Sequence, residues 1–319
     1  MPPSRAVRVT TAAALDRARA ALAPFGTADA DLAARAVIAG DASGWPEFGV
    51  ALLVRELRAH AGAPAPAGAQ GAEPVLSTGA TATVDARDLP GPVALAAATR
   101  LAGDRARRQG VGVVAVRHAG GTGRVGAYVR ALAEDGLVGV ALAHSGPTVA
   151  PYGGSAAVVG TNPLAVAVPR AAGGTHRALV LDAATSALTL AGVRRHGRDG
   201  SPLPEGAAVD AAGLPTRDPG QIAAILPAGL LGSLLGLTVE TLAGLVTGAR
   251  GDAEGRGLWV LALDPRAFGT DDLPERAERL SREWSDAGGH VPGSRPDADE
   301  VDVDRDAWDA LGELGGDPA

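Results

Sequence analysis

The sequence contains no cysteine and no lysine. Without cysteine the chain can form no disulfide, no thiol nucleophile and no thiolate metal site. A metal site would then need clustered histidines and carboxylates, and neither H-x-H nor H-x-x-x-H spacing occurs, so we expect no metal. Because lysine is absent, all 29 positively charged residues are arginines. Schiff-base catalysis is therefore excluded, and anions can be bound only by guanidinium groups among the cationic side chains.

Aromatic residues are also scarce, at 3% of 319 residues, although 46% of the chain is hydrophobic. The core must therefore be built from alanine, valine and leucine. No apolar run reaches the about 20 residues that a membrane-spanning helix needs. A net charge of −7 without any basic run argues against nucleic acid and anionic membranes as partners. We expect a cytoplasmic globular protein that binds a small molecule, with no nucleic acid or membrane partner.

The most informative stretch consists of two apolar, β-rich segments, residues 137–142 and 164–168, on either side of a loop with many turn residues. The loop contains Pro-Tyr-Gly-Gly at 151–154 and Gly-Thr-Asn-Pro at 160–163. Glycine lacks the Cβ atom that would keep a ligand away from the main chain. The pattern predicts a strand, a ligand-binding loop and a second strand. A tight connection within a sheet would give the same pattern.

Two further motifs follow in order: Asp-Ala-Ala-Thr-Ser at 182–186 and Gly-Leu-Pro-Thr-Arg-Asp-Pro at 213–219, before a glycine-rich apolar helix. Together with the preceding loop, this order resembles the malate/L-lactate dehydrogenase family that lacks a Rossmann domain, over residues 9–293. The resemblance implies an α/β fold with a large, mostly antiparallel or mixed sheet, surrounding helices and an N-terminal helical part. It also implies a homodimer, and NAD(P)H binding without a G-x-G-x-x-G motif.

We expect three regions along the chain. Residues 1–75 would form an N-terminal helical segment that carries the family's catalytic turn at 40–50. Residues 76–295 would form the α/β core with the cofactor and substrate cleft. Residues 296–319 are acidic and would form a partly disordered tail, with a short helix at 308–311 as an alternative.

The resemblance also implies that several of the family's functional positions are substituted. The family's proton-transferring His, its neighbouring Ser, its substrate-binding Arg, its second His and its cofactor-binding Lys align respectively with Phe48, Glu47, Leu52, Gly121 and Leu231. We therefore hypothesise that hydride transfer has been lost and that no cofactor is needed. The old cleft would instead carry out acid–base or shape-driven chemistry, such as a cyclisation or isomerisation, on a small and rather apolar substrate.

Three residues are candidates for catalysis in that case: Glu47, His144 and His118. Aromatic neighbours would raise the pKa of Glu47 and make it a base, although an ordinary surface glutamate is the alternative. His144 stands where relatives often have Asn and could exchange protons, or it could simply form a hydrogen bond at a strand end. The expected substrate pocket consists of Trp45, Phe48, Leu52, Tyr152 and Leu231.

Two alternatives remain open. The chain could be an NAD(P)H-dependent oxidoreductase that reduces a 2-oxo acid or a cyclic imine with relocated catalytic residues, or a non-catalytic partner subunit. If the family's activity is retained, the expected cofactor-binding residues are Gly160, Thr161, Asn162, Asp182, Thr185 and Ser186. The basic cluster at 194–198 would form either a solvated hairpin or a site for a phosphate or carboxylate.

Overall fold

The computed structural model describes residues 6–61, 72–171, 178–251, 255–293 and 298–316. Within these ranges the α-helices are α1 Thr11–Leu22, α2 Thr27–Ala42, α3 Val50–Ala59, α4 Gly91–Gln109, α5 Gly126–Glu134, α6 Leu190–Asp199, α7 Gly229–Val239, α8 Leu273–Asp286 and α9 Arg305–Gly315. The strands are β1 Ala6–Thr10, β2 Leu76–Thr78, β3 Thr81–Asp85, β4 Val111–Ala119, β5 Val138–Ala143, β6 Leu164–Pro169, β7 Ala178–Ala183, β8 Ala208–Val209, β9 Ala224–Ile225, β10 Arg256–Leu263 and β11 Glu300–Asp304. A π-helical segment, Glu240–Leu245, continues α7.

A mixed sheet forms the centre of the described structure, with the strand order β2-β3-β4-β10-β5-β6-β7. The pair β3–β4 is parallel and every other neighbouring pair is antiparallel. The two segments that flank the glycine-rich loop are adjacent strands, with Leu142 of β5 opposite Leu164 of β6. The α/β architecture with a large, mostly antiparallel sheet is therefore confirmed.

The core is aliphatic, as the scarcity of aromatic residues requires. Helix α4 lies against β4 and β10, and its small side chains, including Ala94 and Ala98, are fully buried. Leu95 on the same helix is also fully buried, which contributes roughly 1.5–3 kcal/mol. Although α4 is long, none of the helices in the described ranges has the combination of length and apolar character needed to cross a membrane.

A second layer joins the two ends of the described chain. Strand β1 pairs antiparallel with β11, with Val7 opposite Val303, and α9 packs on α1 and α3. The Arg17 guanidinium lies 4.0 Å from the ring centroid of Trp308. The expected disordered tail at 296–319 is therefore wrong for β11 and α9, because both pack against N-terminal elements. Residues 296–297 and 317–319 lie outside the described residues.

The antiparallel pairing brings five strand ends to one edge of the sheet. Ala119 at the end of β4 lies opposite Arg256 at the start of β10, and Ala143 at the end of β5 lies opposite Leu258. Leu164 at the start of β6 then lies opposite Ala183 at the end of β7. Loops that leave these ends meet beside the first turns of α3 and α6.

Candidate active site

A cleft of about 320 Å³ lies at this sheet edge. Its walls come from the turn before α3, from α3 itself, from the loop at residues 120–125 after β4, and from the ends of β5 and β7. The first turn of α6 and the start of β10 complete it. A volume of this size suits a small organic ligand.

The turn before α3 is held by a buried aspartate at the end of α2. Asp41 is 5% exposed, and its Oδ2 atom accepts a hydrogen bond of 2.8 Å from the Val50 backbone N–H at the start of α3. A Cβ atom on Gly49 would lie 2.1 Å from the Asp41 carboxylate, so only glycine fits there. This contact fixes Trp45 and Phe48, whose ring centroids are 6.2 Å apart, in the wall of the cleft.

Glu47 lines the cleft but does not fit the predicted role of a base with a raised pKa. Its carboxylate accepts hydrogen bonds from Arg195 Nη2 at 2.9 Å and Arg198 Nη2 at 2.5 Å. Burial acts to raise the pKa of Glu47, but the bonds from Arg195, the backbone and Arg198 together lower it. The expected rise in the pKa of Glu47 is therefore wrong, because Glu47 is an ion-paired carboxylate.

Those two arginines belong to α6, which replaces the predicted hairpin at 194–198. The helix begins where the Thr189 hydroxyl accepts a 3.0 Å hydrogen bond from the Gly192 N–H. The solvated hairpin is therefore wrong. The carboxylate that Arg195 and Arg198 bind is the protein's own Glu47.

His144 also lines the cleft and is 5% exposed. Its Nε2 atom lies 3.4 Å from Glu240 Oε1, and its Nδ1 atom lies 3.5 Å from the Gly257 backbone N–H. Glu240 in turn accepts hydrogen bonds from Asn162 and Arg250. Burial acts to raise the pKa of Glu240, but the bonds from His144, Asn162 and Arg250 lower it. Both ring nitrogens of His144 therefore have partners within the protein.

His118, the third catalytic candidate, is not among the residues that line the cleft. Its Nδ1 atom lies 2.8 Å from Asp85 Oδ1, and the Arg87 guanidinium lies 3.3 Å from its Nε2 atom. Its φ of 58° lies in the left-handed region and turns the chain at the end of β4. The structure places it in a charged cluster beside β3, away from Glu47 and His144.

Two of the six residues expected to bind the cofactor, Thr161 and Asp182, line the cleft, whereas Gly160, Asn162, Thr185 and Ser186 do not. Asn162 is fully buried, and its Nδ2 atom donates to Gly236 O at 3.0 Å and to Glu240 Oε2 at 2.8 Å.

The other three also have contacts within the protein. Thr185 Oγ1 donates to the Thr161 carbonyl at 3.1 Å, and Ser186 Oγ donates to the Leu188 carbonyl at 2.8 Å. A Cβ atom on Gly160 would lie 2.1 Å from Ser145 Oγ, so this glycine allows a close approach of two loops. These residues and Asn162 hold the loop in position for Thr161.

The predicted substrate pocket is similarly divided. Trp45, Phe48 and Leu52 line the cleft, whereas Tyr152 and Leu231 lie outside it and are 62% and 69% exposed. Leu231 is on the exposed face of α7, so its side chain adds nothing to the walls of this cleft.

Arginines are the functional residues that the expected site left out, apart from Arg194 in the basic cluster at 194–198. Among the described residues, four arginines line the cleft: Arg55, Arg124, Arg194 and Arg256. An apolar substrate does not fit a site with four arginines, so the expectation of a rather apolar substrate is wrong. Arg55 follows Leu52 by three positions on α3, and this helical spacing was the available signal. Arg256 has no comparable local signal, because the β10–β4 pairing brings it to the cleft.

Asp182 faces one of these arginines. Its Oδ2 atom accepts a 3.1 Å hydrogen bond from Arg124 Nε, and its side chain is 12% exposed. Burial raises the pKa of the Asp182 carboxyl by more than Arg124 and the Gly126 backbone lower it. The cleft thus contains a carboxyl group that keeps its proton to a higher pH than an ordinary aspartate.

Comparisons with known proteins agree with this arrangement. The family model described as malate/L-lactate dehydrogenase matches residues 9–298. A Δ1-pyrroline-2-carboxylate reductase from Pseudomonas fluorescens is 37% identical over 60% of this chain, which spans less than two thirds, 62%, of that relative. A (2R)-3-sulfolactate dehydrogenase (NADP⁺) from Chromohalobacter salexigens is 34% identical over 84% of this chain and 83% of its own length.

One solved structure is also similar to this chain over nearly its whole length. The Δ1-piperideine-2-carboxylate reductase of Pseudomonas syringae pv. tomato has a TM-score of 0.75 and 28% identity to this chain, covering 97% of it and 95% of the reductase.

These relatives overturn the hypothesis that hydride transfer has been lost and replaced by a cyclisation or isomerisation. The chain is 34% and 37% identical to proteins named as redox enzymes, and these names favour the oxidoreductase alternative. With the family model covering residues 9–298 and the sheet and cleft in place, the chain belongs to the malate/L-lactate dehydrogenase family.

Proposed function

We propose that this protein is a cytoplasmic NAD(P)H-dependent oxidoreductase that reduces the carbon–oxygen bond of a 2-oxo acid or the carbon–nitrogen bond of a cyclic imine carboxylate. The observation that carries the proposal is the pairing, in one cleft, of a protonatable carboxyl group with several guanidinium groups. Reduction of such a substrate requires a proton for the oxygen or nitrogen and a cation for the carboxylate. The relatives' names, a 2-carboxylate reductase and a sulfolactate dehydrogenase, describe carboxylate-bearing substrates.

The cleft contains features that fit a nicotinamide. The loop with Gly120, Gly121 and Gly123 forms one wall of it with main chain alone. The Ser145 hydroxyl is buried without a hydrogen-bond partner in the described part of the chain, and Ser145 lines the cleft. An unpaired buried hydroxyl is costly, and a carboxamide would satisfy it. When bound, the reduced cofactor supplies the hydride that the substrate carbon accepts.

Asp182 is the best placed of the described groups to give the substrate its proton. It lines the cleft, and burial raises its pKa. His144 lines the same cleft, but hydrogen bonds to Glu240 and Gly257 occupy its ring nitrogens. We assign proton donation to Asp182 and a supporting role to His144, which orients Glu240 beneath the loop that carries Thr161.

The proposed enzyme acts as a homodimer through α7. Six apolar residues of α7 and the segment after it are each more than half exposed: Leu230, Leu231, Leu234, Leu237, Leu245 and Val246. A soluble protein rarely leaves so large an apolar patch uncovered. A second copy of the chain would cover it, since two such faces are self-complementary about a two-fold axis.

The proposal is tested by mixing the purified full chain with NADH or NADPH and a panel of substrates. The panel contains pyruvate, sulfopyruvate and Δ1-pyrroline-2-carboxylate, and the absorbance of the reduced cofactor reports consumption. We expect reduction of at least one compound, with product confirmed by mass spectrometry. If neither cofactor binds in calorimetry and none of these compounds is reduced, the proposal is wrong.

A further inference from the structure

We propose that Arg55, Arg194 and Arg256 form a subsite that binds the anionic groups of the substrate and that selects dianions over monoanions. This inference rests on the proposed function for its identification of the ligand as substrate. The binding of anions by the subsite is, however, measurable without any cofactor or turnover.

Two guanidinium groups converge on one point in the cleft. A Cβ atom on Gly121 would lie 2.9 Å from Arg55 Nη2 and 3.2 Å from Arg256 Nη1. The absence of a side chain at Gly121 therefore provides the space that both guanidinium groups approach. Arg55 comes from α3 and Arg256 from β10, so two separate elements deliver positive charge to the same loop.

The surroundings of Arg256 disfavour its charged form. Burial lowers the pKa of Arg256 most, and the charges of Arg55 and Arg194 lower it further. The charge of Glu56 raises the pKa of Arg256 by more than either arginine lowers it, but Glu56 is one carboxylate beside three guanidinium groups. Its oxygens are also engaged, since Oε1 lies 3.4 Å from Arg55 Nη2 and Oε2 accepts a 3.4 Å hydrogen bond from the Gly91 N–H. The cluster therefore keeps a surplus of positive charge.

Several arginines in and beside the cleft already have a carboxylate partner. Arg124 is hydrogen-bonded to Asp182, and the two other α6 arginines are bonded to Glu47. Across the described ranges, no hydrogen bond or ion pair engages the Arg194 or Arg256 guanidinium. Asp182 and Glu47 thus already have arginine partners. The guanidinium groups of Arg194 and Arg256 are therefore available to bind an anion from solution.

The charge of the ligand follows from this balance. Three guanidinium groups and Glu56 leave a local excess that a dianion matches better than a monoanion, because complementary charge governs selectivity at such sites. The first turn of α6 also lines the cleft with its residues 190 and 191, and Arg194 follows it on the same helix. The positive end of the α6 helix dipole adds to the attraction for anions.

The experiment measures binding of malonate and of acetate to the full chain by calorimetry at low ionic strength, without cofactor. We expect malonate to bind at least about tenfold more tightly than acetate. The Arg256→Gln variant should lose about tenfold or more of the malonate affinity, and Arg256→Lys should restore most of it. The matched control is Arg58→Gln, which removes an exposed charge from the same helix as Arg55 and should leave binding unchanged.

A thermal scan distinguishes a binding role from a structural one. Because burial disfavours the charged Arg256 guanidinium, Arg256→Gln should melt at the same temperature as the wild type or higher while it binds malonate more weakly. A lower melting temperature with unchanged malonate affinity would overturn the proposal, as would equal affinity for malonate and acetate.

A further arm separates a substrate carboxylate from a cofactor phosphate. If 2′-AMP loses affinity in Arg256→Gln while malonate does not, the subsite belongs to the cofactor and the proposal is wrong. If malonate binding depends on Arg256 but no reduction is found with any cofactor, the anion subsite stands and the proposed function fails.

Discussion

Arg195 Nη2 lies 2.9 Å from Glu47 Oε2, and the same guanidinium lies 4.5 Å from the centroid of the Trp45 ring. The pairing ties α6 to the turn before α3, although the two residues are 148 positions apart in the sequence. The wall of the cleft that contains Trp45 and Phe48 is therefore fixed by an ion pair rather than by the turn alone.

We expect Glu47→Gln to destabilise the protein by about 1–2 kcal/mol, because it weakens charged hydrogen bonds from two arginines. The pKa of Glu47 is lowered in the folded state. Its stabilising effect is therefore present above its ordinary value of 4.5 and is lost as pH falls through the lower folded pKa. Urea unfolding of the variant and of the exposed control Glu205→Gln measures the difference. A variant with full stability and no turnover would instead place Glu47 in the chemistry.

Asp41 should make stability depend on pH in the opposite sense. Burial, together with the charges of Asp304 and Glu47, raises its pKa to about 7, although the Val50 N–H opposes this. The unfolded state loses this proton near pH 3.8 and the folded state near 7, so stability falls as pH rises between these values.

Asp41→Asn should remove this slope and gain at most about 4 kcal/mol above pH 7. The gain requires that the amide oxygen keeps accepting from Val50. Melting curves across this pH range, compared with wild type, test it. A variant with the same pH slope as wild type would show that another group titrates.

Asp182→Asn should lower turnover by about 10²-fold or more, because general acid catalysis is typically worth that much. The pKa of Asp182 is raised, so the acid form is lost as pH rises through that pKa and the rate of reduction should fall with it. Steady-state kinetics and cofactor titration of the variant, with the exposed Asp199→Asn as control, separate catalysis from binding. If Asp182→Asn keeps its rate while His144→Gln loses it, the proton comes from the imidazole.

Leu237→Asp should convert the proposed dimer into monomers. Leu237 is 56% exposed on α7, and a carboxylate there would be buried without a partner in a two-fold interface. Sedimentation velocity gives the oligomeric state. Leu280→Asp is the control, because Leu280 is 54% exposed on α8. A wild-type protein that sediments as a monomer would refute the proposed interface.

The elements that the sequence predicted best are those with local signals. Helix α1 begins where the Thr10 hydroxyl accepts a hydrogen bond from the Ala13 N–H, a cap that is visible in the sequence. Strand β11 reads Glu-Val-Asp-Val-Asp, and its acidic residues suggested a tail. Its stability comes from pairing with β1, nearly the whole length of the chain away, and no local pattern reveals that partner.

The site was predicted less well for the same reason. The sequence located Trp45, Phe48, Asp182 and His144 at the cleft through the family resemblance of the motifs and positions around them. It did not reveal that α6 supplies the cations for Glu47 or that β10 brings Arg256 to the same cleft. Charges that meet across the fold determine which carboxylate is neutralised and which guanidinium group remains available.

The antiparallel pair of β1 and β11 has a consequence for synthesis. Arg8 pairs with Asp302 over a separation of 294 residues, so β1 leaves the ribosome long before its partner strand exists. Contacts between residues so far apart in the sequence slow folding. The segments that are synthesised first remain without their partners until the rest of the chain is made. The apolar surfaces of α1 and α3 that α9 covers therefore stay exposed on the nascent chain until translation of α9 is complete.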